Sequence, residues 1–238
     1  MYRLAPVLDT PPLGPGAVLL LEGPPMSGKA NLAQRLLDVG FEAGEPAIVV
    51  ATKKPASWYR KQHGADAPLF VVDCVSAASG RAVERGRIDD RTYVVGSPAD
   101  LTGIGIGISQ FLDELDTGGE ADVDGDDVDA DTDTDGPEPT PVRFYLDSIS
   151  TLLAYSTPDQ LYRFLHALTG RTRSVGALAL CLAHTSGVDE SEIARFRSLF
   201  DATVETRAGE DGPEVRTRGL DDDTTGWRPI QQSGGVHR

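Results

Sequence analysis

The sequence predicts an α/β protein, a mostly parallel sheet covered by helices, with antiparallel strands added at the C-terminal end. Three observations carry this expectation. Apolar runs of strand length alternate with segments of helical periodicity, the pattern of repeated βαβ units. A glycine-rich turn, "GPPMSGKA" (Gly23 to Ala30), joins the first apolar run to the first helical segment. The last quarter changes to short alternating stretches with turn residues between them: "DATVETRAG", "PEVRTRGL" and "WRPIQQ".

Taken in order, "AVLLLEG" (Ala17 to Gly23) is a first buried strand. The helix after the turn places Leu32, Leu36, Leu37 and Val39 at helical spacing, and Gly44 marks its stop. "PAIVVAT" is a second strand, and "PASWYRKQHG" a short helix opened by Pro55. "APLFVVDCV" and "TYVVGSP" are the third and fourth strands, and "GIGISQFLDELD" a brief helix. After an acidic stretch, "VRFYLDSIS" is a buried strand ending in a carboxylate. An amphipathic helix follows with Leu161, Phe164, Leu165 and Leu168 on one face. "ALALCLAHTSG" is another buried strand and "DESEIARFRSLF" a short helix. No internal repeat is visible, and the chain of 238 residues reads as one domain over 1–238, with residues 232–238 a flexible tail.

Composition excludes several classes. Hydrophobic residues make up 39%, normal for a globular domain. The longest apolar run, Ala177 to Ala183, is far short of the roughly 18–20 residues of a spanning helix, and the N-terminus lacks a signal-peptide pattern. A cytoplasmic protein without a membrane partner is expected. Cys74 and Cys181 have neither disulfide nor zinc spacing and read as small core residues, and His63, His166, His184 and His237 show no metal-ligand spacing.

The net charge of −15 is concentrated. Between Arg91 and Arg143 there is no Lys or Arg, and Asp113 to Glu138 holds 13 of the 37 acidic residues; the remaining 24 face 22 bases, a net of −2. Residues 113–141 therefore read as a disordered acidic insert. Its alternating Asp residues invite an EF-hand reading, but the required glycine and glutamate fall out of frame. Arg outnumbers Lys 18 to 4. Such an acid-rich, Lys-poor chain resembles halophilic proteins, although a GC-rich genome also explains the Arg bias. The acidity argues against DNA as a partner, and no basic stretch with interleaved aromatics is visible.

"GPPMSGKA" fits G-x-x-x-x-G-K and departs only at the eighth position, where Ala30 replaces Ser or Thr. In such a loop Gly23 and Gly28 let the backbone wrap, so that amides from Gly23, Pro24, Pro25, Met26, Ser27, Gly28, Lys29, Ala30 and Asn31 line a phosphate site (the prolines by carbonyl and ring alone). Lys29 reaches the phosphates, and the following helix offers its positive end. About 120 residues later "VRFYLDS" is an apolar strand with Asp147 at its carboxyl end, where ligands gather in parallel sheets and where Mg²⁺ would be held.

With these residues the chain resembles the RecA superfamily, and most closely its KaiC-type ATPases. "LGPGAVLLLEGPPMSGKA" is similar to the lead into the family's Walker A motif, "FYLDSIS" to its Walker B, and "VRTRG" to its basic K-x-R-G strand. The resemblance runs from about Leu13 to Ile230. It implies a RecA-like P-loop NTPase fold, three-layer αβα, with ATP or ADP and Mg²⁺ as ligands. It also implies a possible homo-oligomer in which Arg216 and Arg218 contact a neighbour's nucleotide, and a γ-phosphate sensor at His184, for which a structural histidine is the competing reading.

Two departures bear on mechanism. Ala30 lacks the hydroxyl that ligates Mg²⁺ in the family, and Thr52, Lys53 and Lys54 stand where the family carries its catalytic Glu. The two lysines either pair with phosphate or are solvated. The leading expectation is an ATP-binding protein with weak or absent hydrolysis, acting as a regulatory or signalling switch on an unidentified protein partner. An active ATPase of DNA recombination or repair, with Glu22 or Asp73 as a substitute acid, and a nucleotide-free pseudo-ATPase scaffold are the alternatives.

Overall fold

A computed structural model of the protein describes residues 1–78, 84–117, 140–187, 189–220 and 226–230. The chain runs β1 (Val18–Gly23), α1 (Lys29–Glu42), β2 (Ala47–Ala51), α2 (Ala56–His63), β3 (Leu69–Asp73), β4 (Gly86–Asp89), β5 (Thr92–Val94) and α3 (Leu101–Thr117). It continues with β6 (Arg143–Leu146), α4 (Ile149–Tyr155), α5 (Pro158–Ser174), β7 (Leu178–His184), α6 (Glu190–Arg197), β8 (Ala202–Gly209), β9 (Gly212–Arg218) and β10 (Arg228–Pro229).

The strands form one sheet in the order β10-β9-β8-β1-β7-β6-β2-β3-β5-β4. From β8 to β5 every neighbour is parallel. The C-terminal hairpin β8–β9 and the short β10 add the expected antiparallel edge. The central strands are apolar throughout because both faces are covered. Leu19 and Leu21 of β1 pack with Leu32, Leu36 and Leu37 of α1 and Tyr59 of α2. Val18 and Leu20 face Ile104, Ile108 and Phe111 of α3 and Leu161, Leu165 and Leu168 of α5 on the opposite side. Each such buried leucine contributes about 2 kcal/mol. The result is three layers, helix–sheet–helix.

Local chemistry sets the element boundaries. Ser148, directly after β6, caps α4 by accepting from the Thr151 N–H, and Thr157 with Gln160 forms a capping box at α5 beside Pro158. Gly44 takes φ 76 just past α1, ending it as expected. Gly40 leaves room for the guanidinium of Arg143, which would lie 2.4 Å from an added Cβ. Arg143 is fully buried in β6, paired with Glu45 and donating to the carbonyls of Leu36 and Arg3. His63 ties α2 to α1 through Asp38 and Gln34. Cys74 and Cys181 are free and buried, as small core residues should be.

Four details correct the sequence reading. Helix α3 is 17 residues long and continues to Thr117, so residues 113–117 are helical rather than part of the insert. The glycines Gly103, Gly105 and Gly107 obscured its start, yet Ile104, Ile108, Phe111 and Leu112 keep helical spacing and are buried. Gly107 is there for contact, since a Cβ would lie 2.7 Å from the Tyr93 ring. Strand β4 was not expected, and its mostly exposed residues carry no apolar signal. Helix α4 follows β6 where only a strand end was read. The N-terminal segment buries Tyr2, Leu4, Val7 and Leu8 against α1 and β1, and the Tyr2 hydroxyl donates to the Gly176 carbonyl. Most of the acidic insert (118–139) and the tail at 232–238 lie outside the described residues. Among the described residues no helix is long and apolar enough to cross a membrane.

Candidate functional site

Four adjacent strands, β1, β7, β6 and β2, end side by side at the carboxyl edge of the sheet. The chain leaves β1 through the Gly23–Lys29 loop, and β7 ends at His184. Asp147 follows β6, and Thr52 and Lys53 follow β2. Topology thus delivers the glycine-rich loop with Lys29, Asp147 and His184, and Lys53 with them, to one line, while Arg216 and Arg218 lie on β9.

The loop is fixed by its own residues. Gly23 passes so close to β8 that a Cβ would lie 2.4 Å from the Thr206 carbonyl oxygen. Ser27, buried, shares a 2.6 Å hydrogen bond with the Thr206 hydroxyl. Gly28 takes φ 87, and a Cβ there would meet Pro213 at 2.8 Å and Ile230 at 3.2 Å, so β9 and the residue after β10 lean on the loop. Met26 forms the tip, 97% exposed and left-handed at φ 62. Pro24 and Pro25 stiffen the approach to it. No side chain caps the N-terminus of α1, and Ala30 and Asn31 in its first turn are exposed. Such a helix start suits an anion.

Asp147 is held differently from a metal ligand. It is 3% exposed, and its Oδ1 accepts from the Thr52 amide (2.9 Å) and the Thr52 hydroxyl (2.5 Å). Its Oδ2 accepts from the Tyr59 hydroxyl (2.7 Å) and the Lys53 amide (3.2 Å). Burial, and then the charge of Asp147, push the Tyr59 phenol far up, so it keeps its proton and donates. An ionised carboxylate offers about four acceptor sites, and four protein donors take them. With Ala30 lacking a hydroxyl, the residues present do not fit Mg²⁺. Among the described residues no cluster of three His, Cys, Asp or Glu side chains supplies another metal site.

The substitute acids are engaged as well. Asp73 is 1% exposed and accepts from the amides of Ala56, Val75 and Ser76 and from the Ser76 hydroxyl, which anchors α2 and the turn after β3. Glu22 receives Arg197 on both oxygens, at 3.1 and 3.0 Å. Both carboxylates are held by structural donors, as Asp147 is.

What the site offers instead is positive charge. Burial pushes the Lys29 ammonium down to about 8, and the neighbouring Lys53 adds to the effect; its Nζ donates to the Pro24 carbonyl at 2.6 Å. Lys53 is also lowered, by desolvation that the charge of Asp147 partly offsets. Its Nζ lies 3.3 Å from the Asp147 carbonyl oxygen and 2.9 Å from His184 Nε2. Desolvation, then Lys53 and Lys29, push His184 down to about 4. The ring is neutral; with the Lys53 ammonium as donor, Nε2 is the acceptor and the ring proton is assigned to Nδ1, which has no partner among the described residues. Two ammonium groups therefore share one edge and repel each other.

Arg216 and Arg218 both pair with Glu205 of β8, and Arg216 also stacks on Trp227. Sequence reasoning named Gly23, Gly28, Lys29, Asp147 and His184, which the fold brings together. It left Lys53 undecided and missed Thr52 and Tyr59 as partners of Asp147. An apolar strand followed by Thr-Lys-Lys was the available signal, but the pairing depends on β2 lying beside β6.

Residues 16–206 match a family of unknown function, DUF7504. The chain belongs to that family. No match is found among curated proteins. Among solved structures, the crystal structure of a KaiC-like protein from the hyperthermophilic archaeon Pyrococcus horikoshii OT3 is similar, with a TM-score of 0.51 and 12% identity over 92% of this chain and 83% of that one. At that identity the likeness concerns the fold, and the fold of this DUF7504 member is RecA-like.

Proposed function

We propose that this protein binds ATP or ADP through the phosphates at the Gly23–Asn31 loop, hydrolyses the nucleotide slowly or not at all, and serves as a regulatory or signalling switch. The observation that carries the reading is the pair of ammonium groups, Lys29 and Lys53, gathered beside an uncapped helix start, with neither ammonium ion-paired to a carboxylate oxygen among the described residues and only the charge of Asp147 partly offsetting Lys53. An anion with several oxygens suits that arrangement. Slow or absent hydrolysis follows from the same residues. Asp147, Asp73 and Glu22 are occupied by structural donors, and losing a water-activating base typically costs 10²–10⁴ in rate.

The loop also has a route to the surface. Ser27 is bonded to Thr206 of β8, and Gly28 touches Pro213 of β9. A ligand that orders the loop would bias the C-terminal hairpin, and a protein partner would read that bias. The test is thermal melting with ATP, with ADP and without nucleotide, alongside a phosphate-release assay. A shift of several degrees that Lys29→Ala abolishes, with no phosphate released, is expected. No shift with either nucleotide leaves the scaffold reading.

A further inference from the structure

We infer that the Lys53 ammonium occupies the functional place of the metal ion, so that the site takes an unchelated di- or triphosphate instead of a magnesium complex. This rests on the phosphate-binding reading above and goes further, because it specifies the ionic form of the ligand.

The argument begins with reach. Lys53 leaves the end of β2, yet its Nζ lies across the end of β6, between the Asp147 carbonyl oxygen at 3.3 Å and His184 Nε2 at 2.9 Å. These are the ends of the two strands nearest the loop-bearing β1 on that side. An ammonium has three donors. Two are directed to Asp147 and His184, which fixes the group in position, and the third remains for a ligand. Lys29 is held in a similar way, with one donor on the Pro24 carbonyl and two remaining. The site therefore presents two anchored cations from different elements, Lys29 from the start of α1 and Lys53 from the segment after β2.

The groups that would coordinate a metal are accounted for. Position 30 has no hydroxyl, and the Asp147 oxygens accept four protein hydrogen bonds. A divalent cation arriving with the phosphates would find no hydroxyl at position 30 and the Asp147 oxygens already engaged, and would be repelled by Lys53 nearby. A phosphate chain without a metal carries more negative charge, which both lysines would attract. Lys53 thus supplies, covalently tethered, the positive charge that a metal ion brings from solution. His184 is its positioning residue, because the neutral ring acts as an acceptor.

The test is calorimetric titration of the full chain with ATP, ADP and inorganic tripolyphosphate, each in EDTA and in excess Mg²⁺. Wild-type protein should bind ATP at least as tightly in EDTA as in Mg²⁺. Lys53→Met should weaken binding in EDTA about tenfold or more, the loss of one charged hydrogen bond. This variant keeps the backbone N–H that Asp147 accepts, and Lys53→Arg, which keeps the cation, should recover part of the affinity. Equal binding by tripolyphosphate would assign recognition to the phosphates alone, while preference for ATP would add the nucleoside; either supports the inference if EDTA leaves it intact. Binding that requires Mg²⁺, or that Lys53→Met leaves unchanged while Lys29→Ala abolishes it, overturns the inference and leaves the phosphate-site reading standing. No binding under any condition overturns both.

Discussion

Replacing Asp147 by Asn separates a structural carboxylate from a metal ligand. Asp147 accepts from the Thr52 amide and hydroxyl, the Lys53 amide and the Tyr59 hydroxyl, and it is 3% exposed. An amide in its place keeps one oxygen and turns an NH₂ group toward two of these donors. Hydrogen bonds to a charged group contribute about 1.5–3 kcal/mol each, and a buried donor left unsatisfied costs about 1–3 kcal/mol. With two bonds lost and two donors stranded, and with relaxation recovering part of the loss, Asp147→Asn should destabilise by about 3–5 kcal/mol. For a chain of this size that corresponds to a fall of roughly 6–20 °C in Tm. The assay is thermal and urea unfolding without any ligand. A carboxylate kept only to bind a metal is unpaired when the metal is absent, so its neutralisation would be neutral or stabilising. A Tm within about 2 °C of wild type would refute the structural role.

Three further outcomes are expected. Arg143→Ala strands the buried Glu45 and frees the carbonyls of Leu36 and Arg3, and should cost about 3–5 kcal/mol in urea unfolding, whereas an Arg143→Met and Glu45→Met double variant should recover much of it. His184 has a folded value of about 4 against 6.5 in the unfolded chain, so the unfolded state binds the extra proton between those values. Its contribution is therefore present above pH 6.5 and lost as pH falls toward 4; the full shift corresponds to about 2 kcal/mol between pH 7 and pH 5, which solvent screening of the half-buried ring cuts to about 1 kcal/mol, the extra loss expected of wild type over His184→Gln. Ala30→Ser restores the missing hydroxyl but frees no carboxylate, so phosphate release should stay at background even in excess Mg²⁺.

The layering of the fold was legible because the central strands are buried on both faces and read as unbroken apolar runs, while Leu32, Leu36 and Leu37 or Leu161, Leu165 and Leu168 mark helix faces at their own period. The loop was legible for a similar reason, since its spacing reflects backbone geometry that only Gly23 and Gly28 meet. What Asp147 does was not legible. Its position after an apolar strand can be read locally, but its partners Thr52 and Tyr59 lie 95 and 88 residues away and meet it only because β2 pairs with β6. The same holds for Lys53, whose contact with His184 spans 131 residues. Strand β4 escaped because its side chains are largely exposed, and α3 was shortened because glycine at three alternate positions hides a helix that packing requires.

The most direct test of the central claim is equilibrium dialysis of the full chain against γ-labelled ATP, followed by recovery and identification of the bound nucleotide after several hours. Near-stoichiometric retention of intact ATP, lost in Lys29→Ala, is the predicted result. Recovery of mainly ADP, with its phosphate released, would contradict slow or absent hydrolysis, and no retained nucleotide of either kind would contradict the site itself.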